Sequence, residues 1–338
     1  MKIAIDGMGG DFAPQEIVSG IDLALDEVND LEIVLTGNKT LLEKEISSIK
    51  NSSKIEIIPT EQIITTHDKP RDALLKKKQS SLHKAIELVR DGYAKGMVTA
   101  GSTGAYMAIS LFTLGRLKNV TRPAIGIPLP YKDGTIGLLL DVGASVDIST
   151  REYLIFAILG KVYLSTFRGD SNVTIGLLNI GAEEEKGSKM TLEAHRLLKE
   201  NFKEFKGNVE PHELLDHKVD VIVTDGFSGN ILQKSYEGAA EFLIEAIKDE
   251  INKTLARKIA AKFLKPALKS AFNKLNYENF GGSPLLGVDG ISIKAHGRSK
   301  RVAIKNAIKV CNNLASNNLI ENLKKALDSE KFMEEKKL

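Results

Sequence analysis

The strongest constraint on how this chain can fold is a pattern that recurs five times: a short aliphatic run ends in a small, polar, glycine-containing turn. Ile3-Ala4-Ile5 runs into Asp6-Gly7-Met8-Gly9-Gly10-Asp11, and Met97-Val98-Thr99 into Ala100-Gly101-Ser102-Thr103-Gly104. Residues 136–140 run into Asp141-Val142-Gly143-Ala144-Ser145, and residues 173–178 into Asn179-Ile180-Gly181. Residues 219–223 lead to Thr224-Asp225-Gly226-Phe227-Ser228-Gly229-Asn230, and a helical pattern follows from Ile231 to Tyr236. Runs of this kind predict buried strands that open onto helix N-termini, the organisation of an α/β protein. If the strands are parallel, the turns gather along one edge of the sheet, where such folds bind ligands. Free backbone N–H groups and the positive end of the helix dipole would let residues 225–230 hold a phosphate without a cationic side chain.

The chain has 338 residues, ample for a core in one large α/β domain over 1–338 or in two lobes of it. A net charge of +3 does not by itself imply nucleic acid, and the absence of Trp removes one kind of base-stacking platform. Cys311, the single cysteine, excludes internal disulfides and a cysteine metal cluster, and its helical context predicts a small core residue. No charged leader with an apolar stretch precedes the first strand and no apolar run reaches transmembrane length, so a cytosolic protein is expected.

Several segments carry information of their own. Gly7-Met8-Gly9 starts like a dinucleotide fingerprint, yet Phe12 takes the last glycine position and no acidic residue ends the second strand, so a nicotinamide cofactor is disfavoured. Arg122-Pro123-Ala124 with Pro128 and Pro130 predicts an extended segment at a sheet edge. Glu183-Glu184-Glu185 diverge along one segment and read as a solvated loop rather than a metal site; no metal is expected. Residues 251–277 contain no Asp or Glu. Their basic residues Arg257, Lys258, Lys262, Lys265 and Lys269 alternate with Leu255, Ile259, Phe263, Leu268 and Phe272 at helical spacings, and Pro266 is expected to divide them into two short helices. Such a basic amphipathic hairpin suits an anionic membrane surface, an acidic partner, or packing against its own domain or a second subunit. A last strand, turn and helix carries Gly281, Gly282, His296 and Gly297.

No Gly-x-Ser-x-Gly elbow, Gly-Lys-Ser/Thr loop or His-Glu-x-x-His motif is present. What remains is a cleft of backbone donors and short polar groups, with Lys186, His296 and Arg298 as cationic or titratable candidates. Such a site works by positioning and electrostatics rather than through a covalent intermediate. Lys186 and His296 are the candidates to assist charge or thiolate departure, and Asp225 and Asn230 stand with them at the helix start. Asp6, Asp141 and Asp225 are expected to orient loops rather than act as general bases. Backbone groups of Gly9, Gly10 and residues 226–230 are expected to hold phosphate or the developing oxyanion.

Six blocks in register, residues 4–11, 100–105, 141–144, 177–181, 224–230 and 281–287 with His296-Gly297, resemble the phosphate acyltransferases of bacterial phospholipid synthesis. The resemblance covers residues 1 to about 325. It implies transfer of a fatty acyl group from acyl carrier protein to inorganic phosphate, without a cofactor, giving acyl phosphate for the glycerol-3-phosphate acyltransferase of the membrane. It implies a homodimer, a three-layer α/β/α sandwich with a largely parallel sheet, similar to the isopropylmalate dehydrogenase and phosphotransacetylase folds, and peripheral association with the inner face of the cell membrane. The family usually has Asn where Ser102 and Ser145 stand and Arg where Leu75 stands; Leu cannot replace an Arg at a phosphate. Rival readings are a decarboxylating NAD-dependent dehydrogenase on a related fold and a non-catalytic carrier or membrane adaptor.

Overall fold

A computed structural model describes residues 1–275 and 281–329, without the side chains of residues 269–275. The strand-and-turn pattern of the sequence becomes β1 (Lys2–Asp6), α1 (Gln15–Glu27), β2 (Glu32–Gly37), α2 (Lys39–Ile46) and β3 (Ile55–Pro59). These are followed by α3 (Pro70–Lys76), α4 (Ser81–Arg90), β4 (Gly96–Thr99) and α5 (Thr103–Leu114). Next come β5 (Ala124–Pro130), β6 (Ile136–Leu140), α6 (Thr150–Arg168), β7 (Ile175–Leu178), α7 (Lys189–Asn201), β8 (Phe205–Val209) and β9 (Val221–Val223). The last described elements are α8 (Gly226–Asn252), α9 (Leu255–Leu275), β10 (Ser283–Leu286), β11 (Ile291–Lys294), α10 (Arg301–Ser316) and α11 (Leu319–Ser329).

The eleven strands among the described residues join one sheet in the order β3-β2-β1-β4-β11-β10-β5-β6-β9-β7-β8. Alternate residues of a strand serve opposite faces, so Ile3, Ile5, Ile33 and Leu35 pack into one helical layer while Ala4, Val34 and Met97 pack into the other. Three layers result. Local signals bound the helices as the sequence suggests: Ser80 accepts the His83 N–H at the start of α4, and Ser149 and Glu152 form a capping box on α6, which ends at Gly169 in the left-handed region. Cys311 is fully buried and burial pushes its thiol up, so it is a core residue.

The expectation that the turns line one edge of a parallel sheet is corrected. Strands β3, β2, β1, β4 and β11 are parallel to one another, as are β6, β9, β7 and β8, but the antiparallel pairs β11/β10, β10/β5 and β5/β6 reverse the sense between the groups. The two half-sheets therefore run in opposite directions. Residues just past the C-terminal ends of β4, β11 and β6 nonetheless line one cleft.

Two further expectations change. β5 is not an edge strand; it is central and buried throughout. Its prolines are tolerated because the N–H of Tyr131 and the carbonyl of Ile125 bond toward the β6 side, so by alternation residues 128 and 130 face the β10 side, where pairing stops at Ala124 and Ile125. Residues 251–277 do not divide at Pro266 either: α9 runs through it, and the break between helices falls at Lys253 and Thr254. Pro266 is exposed, so water can take the place of the missing backbone donor.

At the N-terminal end of the second half-sheet, His217 lies between Asp133 (Nδ1–Oδ2 2.5 Å) and Asp220 (Nε2–Oδ1 3.2 Å) and stacks on Tyr131. Partial burial lowers its pKa, but hydrogen bonds to the two carboxylates outweigh this and leave it raised. That stabilisation is present below the unfolded pKa of about 6.5 and is lost as the pH rises through the folded value. His217→Gln is therefore expected to cost up to about 1 kcal/mol at pH 5.5 and less at pH 8.5, by urea denaturation. An equal loss at both values would show that the charge is not involved.

Candidate active site

The start of α8 explains why its sequence is glycine-rich. A Cβ on Gly226 would lie 2.6 Å from Asp141 Oδ2 and 2.7 Å from the Ser145 carbonyl oxygen, and one on Gly229 only 1.9 Å from the Asp141 carbonyl oxygen. The helix thus packs backbone to backbone on the turn after β6, and glycine is needed for that approach. Residues 226–230 are the first turn of the helix rather than a loop before it. Three of its donors are also in use: Gly226 N–H donates to Ser145 O (2.9 Å), Ser228 N–H to the Asp225 carboxylate (2.8 Å), and Gly229 N–H to Asp225 O (3.0 Å). Where the sequence suggested an open cradle of backbone donors, Asp225 caps the helix and also accepts from the Tyr153 hydroxyl (3.4 Å).

Asp141 organises the facing turn. Oδ1 accepts from the N–H groups of Ile125 (2.9 Å), Gly143 (3.1 Å) and Ala144 (3.1 Å), and Oδ2 from Ser145 (2.7 Å). Complete burial pushes its carboxyl up to about 6 against the pull of these donors. Asp6 plays the corresponding part in the first half-sheet. It accepts from Thr99 Oγ1 (2.7 Å) and Met8 N–H (3.2 Å), and burial raises its pKa as well. Gly9 packs so closely on Asp6 and Gly101 that a Cβ would meet Asp6 Oδ2 at 2.4 Å, and the turn is tied to the last one by Asp11 N–H donating to Gly297 O (2.9 Å). Gly10, at φ +105°, fits against Ala100.

Two cavities flank the first turns of α8. Between the half-sheets lies a polar cleft of about 190 Å³. Thr103, Lys294, His296 and Ser299 of the first half line it opposite Gly143, Asn230, Gln233 and Lys234 of the second. Asn230 is oriented by donating from Nδ2 to Val142 O (2.8 Å). His296 Nδ1 accepts the Arg298 N–H (3.2 Å), so a neutral ring carries its proton on Nε2. On the other side of α8 is an apolar groove of about 1100 Å³, formed by Val146, Ile148, Leu178, Ile180, Met190, Phe227, Ile231 and Leu232, with Asp225 and Ser228 at the helix start.

The structure divides the residues picked out by sequence between these places. Thr103, Gly143, Asn230, Gly282 and His296 line the cleft; Asn179, Asp225 and Ser228 line the groove. Lys186 is exposed on the loop beside the groove, where Asn179 Nδ2 donates to its carbonyl (3.0 Å) and Gly181 packs on its side chain, so Lys186 and His296 do not line the same cavity. Ser102 serves as N-cap residue of α5, its carbonyl accepting from Tyr106 N–H (2.9 Å), and Ser145 Oγ donates to Pro123 O (2.9 Å). Gly104 packs on Pro70 and Gly281, at φ +112°, on Val310; Leu75 is exposed on α3. Lys294 and Ser299 were missed. The signal was there: Lys294 is a lysine closing the apolar strand Ile291-Ser292-Ile293, one residue before the turn that carries His296.

A family model described as fatty acid synthesis protein matches residues 1–322. A phosphate acyltransferase of Clostridium tetani is 45% identical over 97% of this chain and 98% of its own length, and one of Clostridium novyi is 40% identical over 97% and 99%. The chain belongs to the phosphate acyltransferase family. Membership confirms the resemblance carried by the six sequence blocks. Among solved structures, a phosphotransacetylase of Streptococcus pyogenes superposes with a TM-score of 0.62 over 95% of this chain and 94% of that one. A branched-chain phosphotransacylase of Enterococcus faecalis does so at 0.60 over 93% and 99%. At 14% and 13% identity these likenesses show that the family shares the fold.

Proposed function

We propose that the chain transfers a fatty acyl group from acyl carrier protein to inorganic phosphate. The observation that carries this reading is the pairing of a polar cleft and a much larger apolar groove on either side of one helix start. Phosphate would enter the cleft and the acyl chain the groove, so that the thioester carbonyl meets the phosphate near the first turn of α8. A phosphate oxygen attacks the carbonyl carbon, the carbonyl electrons move onto oxygen, and the tetrahedral intermediate collapses with cleavage of the C–S bond. The thiolate then takes up a proton. His296 Nε2–H is the donor in the cleft suited to that transfer or to steadying the oxyanion. Partly dianionic phosphate is its own nucleophile, and no strong base is required. Lys186, outside the cleft, is assigned to the approach of the carrier rather than to the reacting atoms. The test is to incubate the protein with palmitoyl-acyl carrier protein and radiolabelled phosphate. Hydroxylamine-sensitive acyl phosphate should appear with an equal amount of free carrier thiol; carrier thiol without acyl phosphate would indicate hydrolysis and defeat the reading.

The α8–α9 hairpin supports work at the inner face of the cell membrane, where acyl phosphate would pass to a glycerol-3-phosphate acyltransferase. No helix among the described residues is long and apolar enough to cross a membrane. Leu255, Ile259, Phe263 and Leu264 are nevertheless exposed, flanked by Arg257, Lys258, Lys262 and Lys265, while Leu268 is half-buried. This is the composition of a helix lying on an anionic surface. Lys269 and Phe272, assigned to the same contact, have side chains outside the described residues. Phe242 and Leu243 on α8 are exposed as well and offer a face for a second copy in a homodimer. Phe263→Asp should weaken co-sedimentation with phosphatidylglycerol vesicles about tenfold or more while leaving turnover of soluble substrate intact. Unchanged sedimentation would exclude α9 as the membrane contact.

A further inference from the structure

Phe227, Ser228, Ile231, Leu232 and Ser235 of α8 line the groove, whereas Asn230, Gln233, Lys234 and Glu237 line the cleft. With about 3.6 residues per turn, these sets fall on two separate faces of the helix. The cleft face carries charge and meets Lys294 and His296; the groove face is largely apolar. Among the described residues, the charged ones lining the groove are Asp147 and Asp225, and the Asp225 carboxylate already accepts from the Ser228 N–H (2.8 Å) and the Tyr153 hydroxyl (3.4 Å). The groove thus offers no counter-charge to an acidic protein surface, and an uncharged apolar chain is the occupant that matches it. Its volume of about 1100 Å³ is on the scale of a small-molecule site rather than of a flat contact between proteins. Ile180 is 78% exposed and Phe227 59%, an apolar surface that folded proteins seldom leave bare without a use.

The groove also has a direction. It begins at Thr224, Asp225 and Ser228, where β9 gives way to α8 beside the reacting atoms of the proposed transfer. In the sheet, β9 is followed by β7 and then by β8, the last strand. Leu178 and Ile180 at the end of β7 come next, and Pro211, past the end of β8, stands at the far side with Met190 in the first turn of α7. Two inter-strand steps put that far side about 10 Å from β9. A palmitoyl chain starting at α8 must pass Met190, whereas an octanoyl chain ends near it. Met190 is held in place: Ser188 Oγ caps α7 by accepting the Thr191 N–H (3.2 Å). Gly187, at φ +109°, allows this closure, since a Cβ there would lie 2.2 Å from Thr191 Oγ1 and 2.6 Å from Asn179 Oδ1. We infer that Met190 sets which acyl chains the protein uses: the chain leaves the start of α8, runs outward past Leu178 and Ile180, and crosses Met190, whose flexible thioether yields to chains of different length. This assignment rests on the acyl-transfer reading for the nature of its ligand.

The test uses the full chain. Met190→Trp adds bulk at a residue that is 41% exposed, so the fold can accept it. It should lower the ratio of kcat/KM for palmitoyl-acyl carrier protein to that for octanoyl-acyl carrier protein by at least about tenfold. Met190→Leu, of similar volume, should keep the wild-type ratio within about twofold. An unchanged ratio in Met190→Trp, or the same change in Met190→Leu, would overturn the assignment. Because the chain has no Trp, Ile180→Trp places a single fluorophore in the groove. Without phosphate, palmitoyl-acyl carrier protein should move its emission to shorter wavelength and acetyl-acyl carrier protein should not. Equal shifts would mean that the carrier, not the chain, covers the groove. A shift with phosphatidylglycerol vesicles alone, or one that grows with protein concentration alone, would give the groove to lipid or to a second copy. Each of these results defeats the assignment. If the wild type makes no acyl phosphate while Met190→Trp still weakens binding of the palmitoyl carrier relative to the octanoyl carrier, the assignment stands and the acyl-transfer reading falls.

Discussion

Gly229→Ala is expected to reduce acyl phosphate formation by at least about 100-fold while leaving a folded protein. The added Cβ would stand 1.9 Å from the Asp141 carbonyl oxygen, 2.8 Å from Thr224 Cγ2 and 3.0 Å from the Asp141 carbonyl carbon. Two of these atoms belong to backbone and cannot swing aside. The first turn of α8 must retreat by at least about 1 Å before the contact becomes tolerable, carrying Asn230 away from the cleft and Ser228 away from the groove. Misplacement on that scale is enough to cost on the order of 100-fold in a reaction that depends on positioning. The stability loss should be smaller, about 1–3 kcal/mol, as for other overpacked sites. Gly238→Ala in the same helix is the control. Nothing lies within 4 Å of its Cβ and the residue is exposed, so it should gain about 0.5–1 kcal/mol and keep full activity. Activity of Gly229→Ala within threefold of the wild type would falsify the view that this contact sets the geometry of the site.

Asp141→Ala should have the largest effect on stability, about 4 kcal/mol or more, measured by chemical denaturation at pH 7.5. Four backbone N–H groups would lose their acceptor at a position with no solvent access, and each donor left unsatisfied costs about 1–3 kcal/mol if the turn does not rearrange. Asp141→Asn should fall between. Its carbonyl oxygen can keep the donors of Ile125, Gly143 and Ala144, but its NH₂ would face the N–H of Ser145, placing two donors together. A pH dependence separates charge from shape. The folded carboxyl is raised to about 6 from an ordinary value of 3.8, so the native state takes up a proton between these values. The linked stabilisation is fully present below the unfolded pKa and is lost as pH rises through the folded one. The advantage of the wild type over Asp141→Asn should therefore grow as the pH falls from about 6 to about 4 and stay constant above 7. A constant difference across the whole range would mean that burial does not shift this group.

The sequence by itself determined the units of this protein. Aliphatic runs ending in Asp6, Thr99, Asp141 and Asp225 reported buried strands and the turns behind them, because those signals act within a few residues of one another. The same locality made the loop-orienting roles of Asp6, Asp141 and Asp225 legible, and the six ordered blocks pointed to the family. Tertiary structure decided how the units meet. Nothing in the periodicity of residues 124–130 or 283–286 states which direction a strand runs, so the reversal that turns one expected edge into two came only from pairing across the sheet. That reversal brings His296 into the cleft with Asn230 and leaves Lys186 beside the groove. The glycines at 226 and 229 show the division most clearly. Their presence announced a close approach, but that the approach was to the backbone of Asp141 and Ser145 rather than to a phosphate depended on a contact some 85 residues distant, which local pattern does not encode.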